Sequence, residues 1–195
     1  MKLDIVFSGV GGQGVVVLSD IFCEAAMLEG FDVGKAEIHG MAQRGGSIVA
    51  YARIGDKVES PLIETRKADA IVGFEVLETA RALPMLKERG MVIVNTKLIQ
   101  PSCMPSNVKP KSMRELMDML RAKAFVYEID GIGIAEELGN LLVVNTVLLG
   151  ALSALPGIPL KVESFHKAIA SRLKEKYIEL NLRAFQLGRE SVLKS

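Results

Sequence analysis

The sequence has few of the residues that build redox and metal centres. It contains two cysteines, Cys23 and Cys103, and two histidines, His39 and His166. Iron–sulfur clusters generally need four protein ligands, and a zinc site needs a compact group of cysteines and histidines. We therefore expect no metal or cluster bound by this chain, and free thiols at both cysteines.

Aromatic residues and excess charge are also scarce. Tryptophan is absent, aromatic residues make up 5% of the chain, and the formal net charge is +1. These values argue against stacking platforms and basic surfaces for nucleic acid, so we expect no nucleic-acid partner. The longest apolar stretch is interrupted by Asn140, Asn145 and Pro156, and the N-terminus enters a predicted strand without a basic leader. We expect a soluble, cytoplasmic protein without a membrane segment.

The most informative pattern lies at residues 3–14. An apolar run at 3–7 ends at Ser8, and small and apolar residues from position 15 onward continue at helical spacing. This predicts a strand at 3–8, a tight turn and a helix at 14–29. The turn matches G-x-G-x-x-G, the phosphate fingerprint of doubly wound α/β folds; the candidate binding residues are Gly9, Gly11, Gly12, Gln13 and Gly14.

This glycine turn has two interpretations. Glycine allows positive φ and a close approach of the backbone to a ligand, and the free N–H groups of the following helix favour an anion. The turn would then bind a phosphate. Alternatively, the glycines serve only to pack the helix tightly against the sheet.

A second glycine-rich loop runs from residue 39 to 46. Arg44 has the planar fork that suits phosphate or carboxylate, and Gly45 and Gly46 can present backbone N–H groups. We predict a functional or partner contact here, either with a phosphate or with a carboxylate on a partner subunit; a flexible connector is the alternative. Glu37, at the end of predicted strand 2, is a candidate for holding a ribose, or else a surface carboxylate or a partner of Arg44.

The remaining pattern predicts an α/β, Rossmann-like fold with a mostly parallel sheet and strand 1 at its centre. We expect strand 2 beside strand 1, as in a right-handed βαβ unit. The connection to the next strand is too short for a helix, so that strand should not run parallel beside strand 2. We expect it to form a β-hairpin across 47–60, with its turn at Gly55 and Asp56. The other predicted elements are strands 31–38, 70–74, 91–95 and 125–130 and helices 76–88 and 111–123.

The C-terminal part is predicted to be helical. We expect helices at 134–155, 162–170 and 173–187, and frayed residues from 188 to 195. The first helix is apolar almost all round from residue 141 onward, which predicts burial or an interface. We expect a single domain over 1–195, with the sheet core at 1–130 and the C-terminal helices at 131–190.

Motifs of a self-sufficient enzyme are missing from the sequence. No Lys-Ser or Lys-Thr pair follows the glycine turn, so it is not a nucleotide-hydrolysing P-loop, and Ser8 lacks a nucleophile-elbow pattern. The thiamine diphosphate signature, Gly-Asp-Gly followed by paired Asn, is absent, since Lys57 follows the sole Gly-Asp pair. We assign no catalytic residue.

Several stretches together resemble the gamma subunit, or gamma domain, of 2-oxoacid:ferredoxin oxidoreductases. They are residues 9–14, 37–47, 60–63, 68–69 and 180–185. Within that family they are most similar to the beta subunit of indolepyruvate:ferredoxin oxidoreductase. The combination of the Gly-Gln-Gly turn with the Gln-Arg-Gly-Gly loop is far more specific than either motif alone.

The resemblance implies a supporting subunit of an enzyme that converts a 2-oxoacid and coenzyme A to acyl-coenzyme A, carbon dioxide and reduced ferredoxin. It implies that thiamine diphosphate and iron–sulfur clusters reside in a catalytic partner subunit. This chain would then line the coenzyme A or substrate approach and hold the assembly together, as a homo-dimer or a hetero-oligomer. The alternative function is a stand-alone Rossmann-type nucleotide-binding protein or dehydrogenase.

Overall fold

A computed structural model describes residues 1–40, 45–100 and 109–194. The strands in this part of the chain are β1 (Lys2–Val10), β2 (Asp32–His39), β3 (Ser47–Gly55), β4 (Ala68–Gly73), β5 (Leu86–Asn95) and β6 (Phe125–Ile129). The α-helices are α1 (Val15–Leu28), α2 (Val76–Ala82), α3 (Met113–Arg121), α4 (Gly131–Glu137), α5 (Val144–Ser153), α6 (Val162–Arg172) and α7 (Glu175–Leu193).

The six strands form one sheet in the order β2-β3-β1-β4-β5-β6. The pairings among β1, β4, β5 and β6 are parallel, and β3 is antiparallel to both of its neighbours. The predicted α/β fold, with a mostly parallel sheet and strand 1 near the centre, is confirmed.

The expected neighbour of β1 was wrong. β3 lies between β1 and β2, antiparallel to both, so β2 is the edge strand. The short 40–46 connection favours this arrangement, because a tight loop can join antiparallel neighbours whereas a parallel neighbour needs a long crossover. The prediction that the third strand would not run parallel beside strand 2 is confirmed.

The hairpin predicted for residues 47–60 was also wrong. Both edges of β3 are occupied by β1 and β2, so no edge remains for residues 57–60 to pair with. That segment instead packs over β2: the Val58 N–H donates to Asp32 Oδ2 at 2.7 Å, and Pro61 lies against Gly34. The hairpin of this fold is formed by β2 and β3.

Helices cover the two faces of the sheet unequally. Alternating residues of β1 point to opposite faces, so Ile5 and Phe7 join one buried cluster and Val6 joins the other. The larger cluster includes side chains from α1, α5, α6 and α7, and the smaller one includes side chains from α2 and α3. None of the helices in the described ranges is both long enough and apolar enough to cross a membrane.

Three helix boundaries differ from the predicted ones. The helix expected at 76–88 ends at Ala82 and passes into a short 3-10 turn containing Pro84, after which β5 begins. The helix expected at 134–155 is divided into α4 and α5 near Gly139, which has φ 74°. Residues 188–193, expected to be frayed, are the end of α7.

The helices α5 and α7 touch through two glycines. A Cβ atom at Gly150 would lie 2.0 Å from the Phe185 carbonyl oxygen, and one at Gly188 would lie 1.9 Å from the Val147 carbonyl oxygen. Both obstacles are backbone atoms, which cannot rotate away. Glycine is therefore required at both positions for this helix pair to pack.

Replacing Gly150 with alanine should destabilise the protein by about 1–3 kcal/mol, because the added methyl group overpacks the helix contact. In an open helix the same change would stabilise by about 1 kcal/mol. Urea unfolding followed by circular dichroism measures the difference. Glu179→Ala, at an exposed position of α7, should change stability by less than about 0.5 kcal/mol. A stabilising Gly150→Ala would contradict the close contact.

Candidate functional site

The predicted glycine turn joins β1 to α1 at the carboxyl edge of the sheet. Gly12 and Gly14 have positive φ values, 98° and 88°, which glycine adopts without strain. Gly14 is the N-cap of α1, and no side chain caps the free N–H groups of the first helical turn. These groups and the helix dipole favour an anion at this end of the helix.

The Gln13 side chain braces the turn from inside. Its Oε1 accepts the Val10 N–H at 2.7 Å, and its Nε2 donates to the Phe74 carbonyl at 3.4 Å. A Cβ atom at Gly9 would lie 2.7 Å from Gln13 Oε1 and 2.8 Å from Phe74 Cβ. Gly9 therefore makes room for Gln13, so at least one glycine of the motif serves the packing of the turn.

The second loop meets the glycine turn. The Gly11 N–H donates to the Gly46 carbonyl at 2.9 Å, and exposed Gly45 has a φ of 74°. Antiparallel pairing of β3 with β1 produces this contact, because Ser47 stands opposite Val10 at the ends of the two strands. Arg44 lies outside the described residues.

Glu37 stands apart from the glycine turn. It is on edge strand β2, two strands from β1, which corresponds to about 10 Å. Its carboxylate accepts from Lys35 Nζ at 2.6 Å and lies 2.9 Å from His39 Nε2. The hydrogen bond from Lys35 is the main reason that the pKa of Glu37 is lowered. Glu37 is thus a surface carboxylate with its own partners in β2.

Sequence reasoning missed a residue that holds the neighbouring strand ends together. Asn95 is buried at the end of β5; its Nδ2 donates to the Phe74 carbonyl at 3.1 Å and its Oδ1 accepts from the Gly131 N–H at 3.0 Å. It shares the Phe74 carbonyl with Gln13. An asparagine ending a buried apolar strand was the available signal, since a buried amide needs partners.

Asn145, the polar residue that interrupts the apolar C-terminal stretch, contacts the turn from the C-terminal helices. A Cβ atom at Gly14 would lie 3.1 Å from Asn145 Nδ2. Asn145 Oδ1 accepts the Thr146 N–H at 2.8 Å, near the start of α5. The first turn of α5 therefore lies beside the start of α1.

A cavity of about 190 Å³ lies beside Val10 on the opposite face of β1 from α1. Glu78, nearly buried in α2, accepts from the Ser47 hydroxyl at 2.6 Å and pairs with Arg81. Gly45 also lines the cavity. The cavity thus lies between α2 and the start of β3, and the charged side chains of Glu78 and Arg81, which line it, pair with each other.

Buried Glu75 anchors the start of α2. It caps the helix by accepting the Leu77 N–H at 3.0 Å and also accepts the Ile99 N–H at 3.2 Å. Burial raises the pKa of its carboxyl group, and the backbone donors oppose that effect. In the residues that the structure describes, the hydrogen bonds to the Glu75 carboxylate come from backbone N–H groups, so Glu75 is a structural cap.

Within residues 1–40, 45–100 and 109–194, no group of three or more His, Cys, Asp and Glu side chains could hold a metal ion. Buried Cys23 has its pKa raised to about 12, chiefly by desolvation, so its thiol is unreactive near neutral pH. At this edge of the sheet, the groups whose chemistry suits an anion are the backbone N–H groups at the start of α1.

Comparison with known proteins agrees with this architecture. The family model for pyruvate ferredoxin/flavodoxin oxidoreductase matches residues 4–191. The chain belongs to this family. The match spans the sheet and the C-terminal helices, and it confirms the resemblance to 2-oxoacid:ferredoxin oxidoreductases that the glycine motifs indicated.

Individual members of the family are similar over almost their whole length. The indolepyruvate oxidoreductase subunit IorB of Methanothermobacter thermautotrophicus is 41% identical over 190 residues, covering 96% of each chain. The common subunit gamma of the pyruvate/ketoisovalerate oxidoreductases of Thermococcus litoralis is 34% identical over 185 residues, covering 93% of this chain and 92% of its own. These relatives are themselves subunits of oxidoreductases.

A solved family structure has the same fold. The gamma subunit of a keto/oxoacid ferredoxin oxidoreductase from Geobacter sulfurreducens PCA superimposes with a TM-score of 0.74 at 28% identity, covering 99% of both chains. The mixed α/β sheet with its C-terminal helices is therefore the architecture of a gamma subunit.

Replacing Gln13 with alanine should destabilise the protein by about 1–3 kcal/mol, since the Val10 N–H and the Phe74 carbonyl lose a partner in a partly buried place. Urea unfolding measures this difference. Gln186→Ala, on the exposed side of α7, is the control and should change stability by less than about 0.5 kcal/mol. Equal stability of the Gln13 variant and the wild type would refute the bracing role.

Proposed function

We propose that this chain is the non-catalytic subunit of a thiamine diphosphate- and iron–sulfur-dependent 2-oxoacid:ferredoxin oxidoreductase. The observation that carries the proposal is the 41% identity to an indolepyruvate oxidoreductase subunit across 96% of both chains. Because the match covers almost all of both chains, it supports a subunit of the same kind and not one domain within a different enzyme.

The chemistry is assigned to a partner subunit. Thiamine diphosphate would cleave the oxoacid there, iron–sulfur clusters would pass the electrons to ferredoxin, and coenzyme A would accept the acyl group. Two cysteines are too few for a cluster, and the thiamine motif is missing from this sequence. The proposal also includes a cytoplasmic location for the complex and a single gamma-type domain over residues 1–195 of this chain.

Indolepyruvate, or a related aryl pyruvate, is the proposed oxoacid. Four relatives named as indolepyruvate oxidoreductase subunits are 35–41% identical to this chain. Those named as pyruvate/ketoisovalerate subunits are 32–34% identical. The difference supports the aryl substrate for the complex, with side-chain selection in the catalytic partner.

The glycine turn and the 44–46 loop are proposed to line the coenzyme A approach. Support comes from the uncapped N-terminus of α1, the exposed positive-φ backbone at Gly45 and the hydrogen bond that joins Gly11 to Gly46. Coenzyme A carries phosphates that such backbone donors suit. Arg44 would add a full positive charge and a two-pronged donor.

The rival function, a stand-alone dinucleotide-binding dehydrogenase, has less support. A Rossmann site holds the ribose with an acidic residue at the end of the strand beside β1. Here the strand that follows α1 is at the sheet edge, and Glu37 is engaged by Lys35. Titrating the purified chain with NAD and FAD discriminates the two functions, since the subunit should bind neither.

Arg44→Ala should raise the coenzyme A KM of the assembled enzyme about ten- to a hundredfold, because a charge-assisted contact contributes about 1.5–3 kcal/mol. Assembly should be unaffected. Steady-state kinetics of the purified complex measure the KM, and gel filtration measures assembly.

Arg114→Ala is the matched control, because Arg114 is an exposed arginine of α3 whose side chain is 92% accessible. It should leave the KM unchanged. Either an unchanged coenzyme A KM in the Arg44 variant or loss of the complex would exclude the phosphate role, and loss of the complex would favour a contact between Arg44 and a partner carboxylate.

A further inference from the structure

Two adjacent leucines between α4 and α5 are exposed. Leu141 is 58% and Leu142 is 82% accessible, and both belong to a single 3-10 turn. Leu142 is the most exposed of the large hydrophobic residues in the described part of the chain. We name this pair the leucine turn. Its side chains contribute little to the core, although the surrounding helices are rich in buried leucine.

The local backbone fixes the exposure of the leucine turn. Gly139 ends α4 in the left-handed conformation with a φ of 74°, and the Asn140 side chain accepts the Leu142 N–H at 3.0 Å. The next residue, Val143, is buried and anchors the turn to the core. The Asn140 cap before the two leucines and buried Val143 after them therefore hold the turn in a conformation that exposes both side chains.

The leucine turn lies at the same edge of the sheet as the candidate ligand site. Asn145, within one helical turn of Leu142, packs against Gly14 of the glycine turn. Val17, in the first turn of α1, is also exposed. Among the described residues, apolar side chains near the glycine turn are therefore left exposed.

We propose that the leucine turn is a docking surface for the catalytic, thiamine-containing subunit. The inference rests on the proposed function, because an acyl acceptor held at the glycine turn must reach a thiamine centre that this chain lacks. The catalytic subunit must then lie across the mouth of the glycine turn. Apolar side chains at that position form the desolvated centre of an interface, with polar groups around them.

A second copy of this chain is the less suitable occupant. A two-fold contact through the leucine turn would place the same surface of another copy over the mouth of the glycine turn. That copy also lacks the thiamine motif, so it would close the approach instead of completing it. The catalytic subunit satisfies both requirements, burial of the leucines and access to the reacting centre.

The test is a titration of this chain with the purified catalytic subunit of its own enzyme, with binding measured by biolayer interferometry. The double variant Leu141→Ser/Leu142→Ser should weaken binding at least tenfold. The matched control is Met27→Ser/Leu28→Ser, because these adjacent residues are 55% and 54% exposed at the far end of α1. That end is about 20 Å from the glycine turn. The control should change binding less than threefold.

The outcomes separate this inference from the proposed function. If the wild-type chain does not bind the catalytic subunit, the proposed function fails. If the wild type binds and the leucine variant binds equally well, the docking surface is refuted while the proposed function stands. A leucine variant that binds equally well but changes the oligomeric state of the free chain would instead assign the leucine turn to self-association. Circular dichroism and thermal unfolding should be unaltered in both variants.

Discussion

The carbonyl group of Phe74 is the acceptor on which the carboxyl edge of the sheet depends. It accepts hydrogen bonds from Gln13, which braces the glycine turn after β1, and from Asn95, which ends β5 and also accepts the N–H that opens α4. The glycine turn and the end of β5 are thereby joined to one carbonyl oxygen, and the start of α4 joins them through Asn95. The start of α5 then packs against Gly14, so the glycine turn is contacted by the C-terminal helices as well as by the sheet.

Much of the fold could be predicted because short-range patterns determine it. Buried apolar runs place the parallel strands β1, β4 and β6 and the helix α1 to within about two residues at each end, whereas β5 begins before its predicted start at residue 91. The insertion of β3 between β1 and β2 could not be predicted, because strand order depends on which edge is free and not on local propensity. The divided helices could not be read from apolar periodicity either, since the breaks at Pro84 and Gly139 interrupt otherwise continuous patterns.

The candidate site was only partly predictable for a similar reason. Its glycines form a compact motif, and family membership gives that motif a context. Asn95 bonds the Phe74 carbonyl and Asn145 contacts Gly14 from positions far along the chain, so their partners are defined by the fold alone. The structure also gives packing roles to two residues that the motif predicts to bind a ligand. Gly9 accommodates the Gln13 side chain and Gln13 braces the turn, which leaves the backbone of α1 and the adjoining loop as the groups suited to an anion.

The proposed role of this chain is to support catalysis by a partner subunit, without catalytic activity of its own. The most direct measurement is oxoacid oxidation, with thiamine diphosphate, coenzyme A and an artificial electron acceptor, by the highly purified chain before and after addition of the catalytic subunit. We expect no turnover by the chain alone and coenzyme A-dependent turnover by the mixture. Turnover by the isolated chain would contradict the claim.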